Sequence, residues 1–345
     1  MNIDVRVSDK NYTIVLERGA LSHFGADPFF SDAKVLILSD DGVPEIYRKR
    51  LCKAIRNAFC LTIRQGEQAK SAENFLDVQR FLLEHQFQKS DILLSLGGGV
   101  ISDLGAFSAS VYKRGMRFIA VPTTTLSMID ASVGGKNGIN FQGVKNMIGT
   151  YYHPDRVLID PDTLKTLPRR HLINGLIEAL KTGLILNPEL YRLFRDREYE
   201  EQIDRVIELS LRSKIAVVEE DEKEAGRRMI LNFGHTLAHA FESIGHLNEI
   251  YHGEAVASGM LYMIDDPALK REVKGILEEM QVPLWKIADP EEVIRYVEND
   301  KKWRKGALNL VLVKEVGKGE IVSSDIAEVR RRIGGEENEY DRKSV

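Results

Sequence analysis

Short apolar runs of strand length alternate with amphipathic stretches through the first half of the chain. KVLILS (34–39), CLTIR (60–64), DILLSL (91–96), RFIAVP (117–122) and RVLID (156–160) are nearly continuous apolar runs, while 43–57 and 71–87 between them carry helical spacing. That alternation predicts a parallel sheet covered by helices on both faces. IDVRV (3–7) and YTIVL (12–16) are separated only by SDKN, too few residues for a parallel crossover, so they predict an antiparallel hairpin. Beyond about residue 160 the pattern changes. Segments rich in Leu, Glu, Arg and Ala at 172–186, 198–220, 229–244 and 253–264 predict helices, followed by a small hairpin of LNLVLV (308–313) and EIVSS (320–324) around Gly317 and Gly319. The charged tail after Gly335 reads as a frayed end. The expected fold class is therefore α/β: an N-terminal doubly wound, mostly parallel sheet domain over 1–160, and a C-terminal mainly α-helical domain over 161–345.

Composition narrows the function classes. With 345 residues and 43% apolar content the chain can build two cores. Its 48 basic and 52 acidic residues give a net charge of −4, which argues against a general nucleic-acid or anionic-membrane binder. Cys52 and Cys60 are too few for a disulfide framework or a four-thiolate zinc site and read as reduced core thiols. MNIDVRVSDK lacks the features of a signal peptide, and no apolar run nears the ~20 residues that span a bilayer. A cytoplasmic protein without membrane association is expected.

LLSLGGGVISDLGAF (93–107) reads as a strand, a triple glycine and a helix start. Such a loop lets the backbone approach a phosphate and aims free N–H groups at it, which points to a nucleotide diphosphate. The G-x-G-x-x-G fingerprint is only partly met, since Ser102 occupies the third glycine position; a glycine turn without ligand is the alternative. Asp40, at the end of KVLILS, could accept from ribose hydroxyls and repel a 2′-phosphate, favouring NAD over NADP, or it could cap the following helix.

NFGHTLAHAFE (232–242) sets His235 and His239 four apart on one helix face, and YHGE (251–254) adds His252. Two histidines plus a carboxylate suit a catalytic divalent metal, although helix-surface histidines are the plainer reading. Glu178, Glu242 and Glu254 remain equal candidates by spacing. KRG (113–115), GGKNGIN (134–140) and GVKNMIG (143–149) place Arg114, Lys136 and Lys145 among glycines and asparagines, in expected loops where backbone donors and cations could converge on an anion.

The glycine loop, VPTTTLSMIDASVGGKNGIN, GVKNMIG, LPRRHLINGLIEALKTGLI, DEKEAGRRMILNFGHTLAHAFE and HGEAVASGM together resemble the 3-dehydroquinate synthase family of sugar-phosphate cyclases, over roughly residues 34–315. The resemblance implies a divalent metal, zinc with cobalt as a substitute, on Glu178, His235 and His252. It implies an NAD pocket using Asp40, Glu67, Lys70, Gly98, Gly99, Asp103, Thr123, Thr124, Lys136, Lys145, Thr163 and Thr166. Catalytic and substrate contacts would come from Asp130, Lys136, Lys145, Asn146, Lys181, Lys214, Glu224, Arg228, Asn232 and His239, and phosphate contact from Lys301 or Lys302. Arg114 matches an arginine reaching the neighbouring subunit's site, implying a homodimer. The implied reaction converts 3-deoxy-D-arabino-heptulosonate 7-phosphate to 3-dehydroquinate and phosphate with no net redox change, a step toward aromatic amino acids. A metal-dependent polyol or glycerol-phosphate dehydrogenase is the nearest rival, and another sugar-phosphate cyclase a closer one in mechanism. Three departures stand out: Thr182 replaces an aromatic or histidine, TTTLSMID replaces TTLLAxxD, and the stretch after HGEAVASGM is short.

Overall fold

The computed structural model describes residues 1–8, 10–245, 250–299 and 308–334. Two compact units emerge, Met1–Gly175 with Lys214–Lys223, and Leu176–Ser213 with Glu224 onward.

The first unit is built on a seven-stranded sheet in the order β1-β2-β9-β6-β5-β3-β4. Its strands are β1 (Asn2–Arg6), β2 (Asn11–Leu16), β3 (Val35–Asp40), β4 (Ala58–Ile63), β5 (Ile92–Gly97), β6 (Arg117–Pro122) and β9 (Arg156–Ile159). Only β1 and β2 pair antiparallel, as the short SDKN connection requires; every other pairing in the sheet is parallel. The helices are α1 (Glu45–Ala54), α2 (Ala72–Glu84) and α3 (Gly99–Val111). Val35, Ile37, Leu94, Leu96, Ile119, Val121 and Leu158 are buried on one sheet face against Leu51 and Ile55 of the α1 region. Each such side chain withdrawn from water contributes about 1.5–3 kcal/mol before chain entropy is counted.

Two expectations fail in this unit. GGKNGIN and GVKNMIG are not loops but the hairpin β7 (Lys136–Phe141) and β8 (Val144–Tyr151). Its polar, glycine-rich residues hide the strand alternation, and β8 is exposed along most of its length. Cys52 on α1 and Cys60 on β4 are not separate core thiols: their sulfurs are joined in a disulfide and Cys60 is exposed. The short α1–β4 connection folds the helix back beside this edge strand.

The unit boundary falls at Gly175 rather than residue 160. It lies inside α4 (Arg169–Leu186), where a Cβ on Gly175 would stand 2.2 Å from the Leu126 amide nitrogen. The first turns of α4 thus pack on the segment following β6. Lys214–Lys223, the end of α6 (Ile203–Glu220) and the residues after it, also belongs to the first unit.

The second unit holds the rest of α4 and α6, with α5 (Pro188–Arg195), α7 (His235–Ile244), α8 (His252–Met263), α9 (Pro267–Glu279), α10 (Pro290–Asn299), β10 (Leu308–Glu315), β11 (Lys318–Ser324) and α11 (Ile326–Gly334). The late hairpin turns at Gly317, while Gly319 lies within β11. The short stretch after α8 is a direct turn, with the Asp266 side chain capping the Leu269 amide at the start of α9. Among the described residues no helix is long and apolar enough to cross a membrane. Lys301, Lys302 and the tail after Gly335 lie outside the described residues.

Candidate active site

In the first unit the sheet order itself marks a ligand crevice. From β3 the chain runs outward to β4 and returns past β3 to β5, so connections leave the neighbours β3 and β5 in opposite directions. Ligands of open α/β sheets bind at the carboxyl ends of strands beside such a reversal. Asp40 ends β3, and Gly98 caps α3 after β5, with the N–H groups of its first turn left over by the helix pattern. Burial raises the Asp40 carboxyl above its usual value, against hydrogen bonds from the Gly42 and Val43 amides at 2.9 and 3.1 Å. Those bonds shape the turn before α1, whose N-cap is Pro44, so Asp40 does not cap the helix. Ser102 is explained as well. The close packing that a third glycine supplies is moved one turn along, to Gly105, where a Cβ would meet Ser95 Oγ at 1.9 Å.

A polar network runs from the GEQAK turn to the hairpin. The buried Lys70 ammonium donates to Asp103 Oδ2 at 2.6 Å and to Asn146 Oδ1, and lies 3.7 Å from Glu67 Oε1. Burial raises the Asp103 carboxyl, countered by the Lys70 charge. Asn140 Nδ2 donates to Glu67 Oε1 at 2.9 Å, and its Oδ1 accepts from the Asn146 amide at 2.9 Å. Asn140 had no sequence signal beyond lying in GGKNGIN. Thr123 is buried at the end of β6, and Thr124 bonds Ser127 at 2.8 Å. Thr163 and Thr166 share the turn after β9, where Thr166 Oγ1 meets the hydroxyl of Tyr47 at 3.0 Å, a contact the sequence did not announce.

Lys136 opens β7, Lys145 lies on β8, and both are exposed. Lys214 Nζ donates to Asp130 Oδ1 at 2.6 Å and to its carbonyl at 2.5 Å. Arg114 is exposed on the turn beyond the far end of α3 from the glycine loop, separated from it by a 13-residue helix about 20 Å long. It does not join its own chain's glycine-loop end.

The second unit gathers Glu178 of α4, His235 of α7 and His252 of α8, whose candidate ligand atoms lie within 4.8 Å of one another. Gly234 and Gly259 make this approach possible. Gly234 has φ 77°, and a Cβ there would strike Met260 Cγ at 2.8 Å and the Val256 carbonyl at 2.9 Å; a Cβ on Gly259 would fall 2.2 Å from the Gly234 carbonyl oxygen. Only glycines allow α7 and α8 to meet this closely.

Each imidazole is aimed from behind. His235 Nδ1 bonds the Phe233 carbonyl at 3.1 Å and His252 Nδ1 bonds Glu242 Oε1 at 3.3 Å, leaving both Nε2 atoms facing Glu178 Oε1, at 3.9 and 3.6 Å. Glu178 is buried, its Oε2 pairs with Lys181 Nζ at 2.5 Å, and its Oε1 has no hydrogen-bond partner. An orphaned carboxylate oxygen between two imidazole nitrogens fits a divalent cation, since ligand atoms around a tetrahedral ion stand about 3.4 Å apart. Burial, then the Lys181 charge, holds His235 well below its usual value of 6.5, in the neutral form that ligates. Burial lowers His252 too, but the Glu242 hydrogen bond and the Glu178 charge outweigh it and raise the imidazole.

The three carboxylates that spacing could not separate now part company. Glu178 faces the histidines, Glu242 orients His252, and Glu254 accepts from the Tyr251 amide at 3.0 Å to cap α8. Thr182 fits its buried position because its hydroxyl donates to the Glu178 carbonyl at 2.9 Å. Lys181 Nζ also donates to the Leu231 carbonyl at 2.7 Å, Arg228 is buried, and Asn232 Nδ2 donates to Glu224 Oε1 at 2.8 Å. His239 stands one turn beyond His235, the two rings perpendicular at 5.8 Å, and is outside the ligand triad.

Comparison with known proteins places the chain in a family by sequence and fold. Residues 60–174 match the 3-dehydroquinate synthase N-terminal family and residues 175–303 the 3-dehydroquinate synthase C-terminal family. The 3-dehydroquinate synthase of Clostridium acetobutylicum is 35% identical over 335 residues, covering 91% of this chain and 94% of that protein. A 2-deoxy-scyllo-inosose synthase solved with carbaglucose-6-phosphate, NAD+ and Co2+ superposes with a TM-score of 0.86 at 23% identity, covering 96% of this chain and 99% of that one. The 2-epi-5-epi-valiolone synthase of Streptomyces hygroscopicus subsp. jinggangensis 5008, solved with NAD+ and Zn2+, gives 0.84 at 26% identity, covering 96% and 98%. With its two family domains in sequence and a curated relative aligned over nearly its full length, the chain belongs to the 3-dehydroquinate synthase family and is an enzyme of the lyase type.

Proposed function

We propose that the enzyme converts 3-deoxy-D-arabino-heptulosonate 7-phosphate to 3-dehydroquinate and phosphate, using NAD+ and one divalent ion, zinc by preference with cobalt as a substitute. The observation that carries this reading is the orphaned Glu178 Oε1 facing two pre-oriented imidazoles, in a chain whose full-length relatives carry that activity in their names. When bound, NAD+ would accept and return a hydride, and the ion held by Glu178, His235 and His252 would polarise the hydroxyl being oxidised.

The chain's own residues then have distinct tasks. Asp40 would accept from the ribose hydroxyls, the Gly98–Gly99 amides would hold the pyrophosphate, and Thr123, Thr124, Thr163 and Thr166 would line the remaining cofactor surface. Glu67, Lys70 and Asp103 would fix the hairpin beside them. The substrate carries about three negative charges near neutral pH, so it needs several cations. In the first unit Lys136, Lys145 and Lys214 would supply charge, the last oriented by Asp130, with Asn146 as a hydrogen-bonding contact. In the second, Lys181 and Arg228 would do so, with Asn232, Glu224 and His239 as polar contacts and Lys301 or Lys302 at the phosphate. Proton removal next to the oxidised carbon is assigned to the departing phosphate itself, so these residues orient, neutralise and exclude water.

A homodimer completes the proposal. Phe141, Val144, Met147, Ile148 and Tyr151 of the hairpin, and Val111 just before the Arg114 turn, are exposed apolar side chains on adjoining elements, the composition of an interface. A second copy seated there would carry its own Arg114 toward this chain's substrate. The cytoplasm is the setting this reading assigns.

The deciding assay supplies the heptulosonate phosphate, NAD+ and zinc and follows phosphate release together with absorbance at 340 nm. Phosphate without net NADH is expected; stoichiometric NADH would make the enzyme a dehydrogenase. The likeness to two other cyclases supports a second reading, a different sugar phosphate as substrate. Turnover of glucose 6-phosphate in place of the heptulosonate would favour it.

A further inference from the structure

His153, in the turn between β8 and β9, appears in none of the roles above, yet its ring is buried where two motif segments meet. One face lies on Gly135, the residue before Lys136. A Cβ on Gly135 would stand 2.8 Å from His153 Cε1 and 2.9 Å from Nε2, and Gly135 holds φ 71°. The Gly135 carbonyl accepts from the Tyr152 amide at 2.8 Å and from Asn137 Nδ2 at 2.9 Å, so the ring seals a turn already fixed by its neighbours. Nε2 meets Glu222 Oε1 at 3.0 Å, with the histidine side chain only 2% exposed. Glu222 Oε2 accepts from the Ser8 amide at 3.0 Å, and the next carbonyl, that of Lys223, accepts from the Tyr151 hydroxyl at 3.3 Å. Glu224 follows directly with φ 58°, a conformation that needs support from its surroundings. The ring of Tyr12 on β2 stands 5.8 Å from the imidazole.

We propose that His153 is a positioning residue: its ring sets the turn that presents Lys136, and its bond to Glu222 sets the backbone that presents Glu224. This rests on the reading of Lys136 and Glu224 as substrate contacts. Glutamine could reproduce the Glu222 bond, whereas alanine would remove both the ring and the bond. Misplacing a charged contact by about 1 Å costs on the order of 10- to 100-fold.

The test measures phosphate release from the heptulosonate phosphate, at saturating NAD+ and zinc, for the wild type, His153→Ala, His153→Gln, Glu222→Ala and the double alanine variant. His153→Ala and Glu222→Ala are each expected to raise KM about 10-fold with kcat within about 3-fold, and the double variant to be no worse than the poorer single one. His153→Gln should bring KM back to within about 3-fold of wild type. A purely structural role would lower the melting temperature and the active fraction while leaving KM alone. The proposal falls if KM stays within twofold in both alanine variants, if the two effects multiply, or if glutamine does no better than alanine. Should His153→Ala not fold, Glu222→Ala against His153→Gln decides by the same KM criterion. If the wild type itself releases no phosphate, the functional reading fails separately. His153 is then judged by amide hydrogen exchange, which His153→Ala must accelerate at both 135–137 and 221–224 or, where that variant does not fold, Glu222→Ala at 221–224; a missing acceleration overturns the proposal.

Discussion

The glycine-loop end of the first unit and the histidine–carboxylate cluster of the second are built by opposite means. At the first, backbone presents the chemistry: strand ends, a glycine loop and the leftover amides of α3. At the second, three side chains from three helices converge, each held by a partner of its own. A backbone site is insensitive to the trimming of side chains and sensitive to adding them. A side-chain site behaves the other way round, and it also depends on the groups behind its ligands.

Substitutions can break or sharpen that contrast. Glu178→Gln should have the largest effect, a loss in turnover of at least about 10³-fold, because several kcal/mol of charge stabilisation go with the ion. Bound zinc by atomic spectroscopy should fall from one per chain to near zero while NAD+ affinity by calorimetry holds within about 3-fold. A large parallel loss of NAD+ binding would mean that the two sites are not built separately. Glu242→Ala leaves every ligand in place and removes only the support behind His252, so zinc affinity should drop about 10- to 100-fold; unchanged affinity in a chelator competition would deny Glu242 that role. Gly98→Ala adds a methyl where the nearest side-chain atom, Thr124 Cγ2, stands 3.3 Å away. It should weaken NAD+ about 10-fold, with zinc content intact, by obstructing a bound phosphate.

The smallest effect is in pH. An ion needs the neutral imidazole, and His252 is raised above 6.5, so over the range below that raised value each unit of falling pH should cost zinc affinity up to about 10-fold. Affinity should flatten once pH exceeds it. His235, held well below 6.5, adds nothing to the slope at and above that pH. A titration of the apoprotein showing affinity independent of pH between 5.5 and 7.5 would contradict this account of the two rings.

The contrast also explains what could be read from the sequence. Strands of the parallel sheet were legible because burial on both faces makes them nearly unbroken apolar runs, as in KVLILS and DILLSL. β7 and β8 were not, because their residues are glycines, asparagines and lysines, and β8 hides almost nothing. His235 and His239 were legible as a helical pair, but spacing alone favoured them together and left three carboxylates in play. Only tertiary packing turns His252 in and His239 out, and only hydrogen bonds sort Glu178 from the capping Glu254 and the orienting Glu242. The domain boundary was misplaced because nothing local marks the contact of Gly175 with Leu126. The cysteines were misread because the fold, not their spacing, sets α1 beside β4.

The glycine contact between α7 and α8 has a consequence for the order of assembly. The two histidines sit on helices that follow each other closely in the chain, whereas Glu178 lies on a helix formed much earlier in sequence, so closing the longer loop is the slower event. Under the proposed metal assignment, a refolding chain in the presence of zinc would meet the ion first with a two-histidine clasp and gain the carboxylate afterwards. The metal would act as a template that draws α4 onto a helical pair already made.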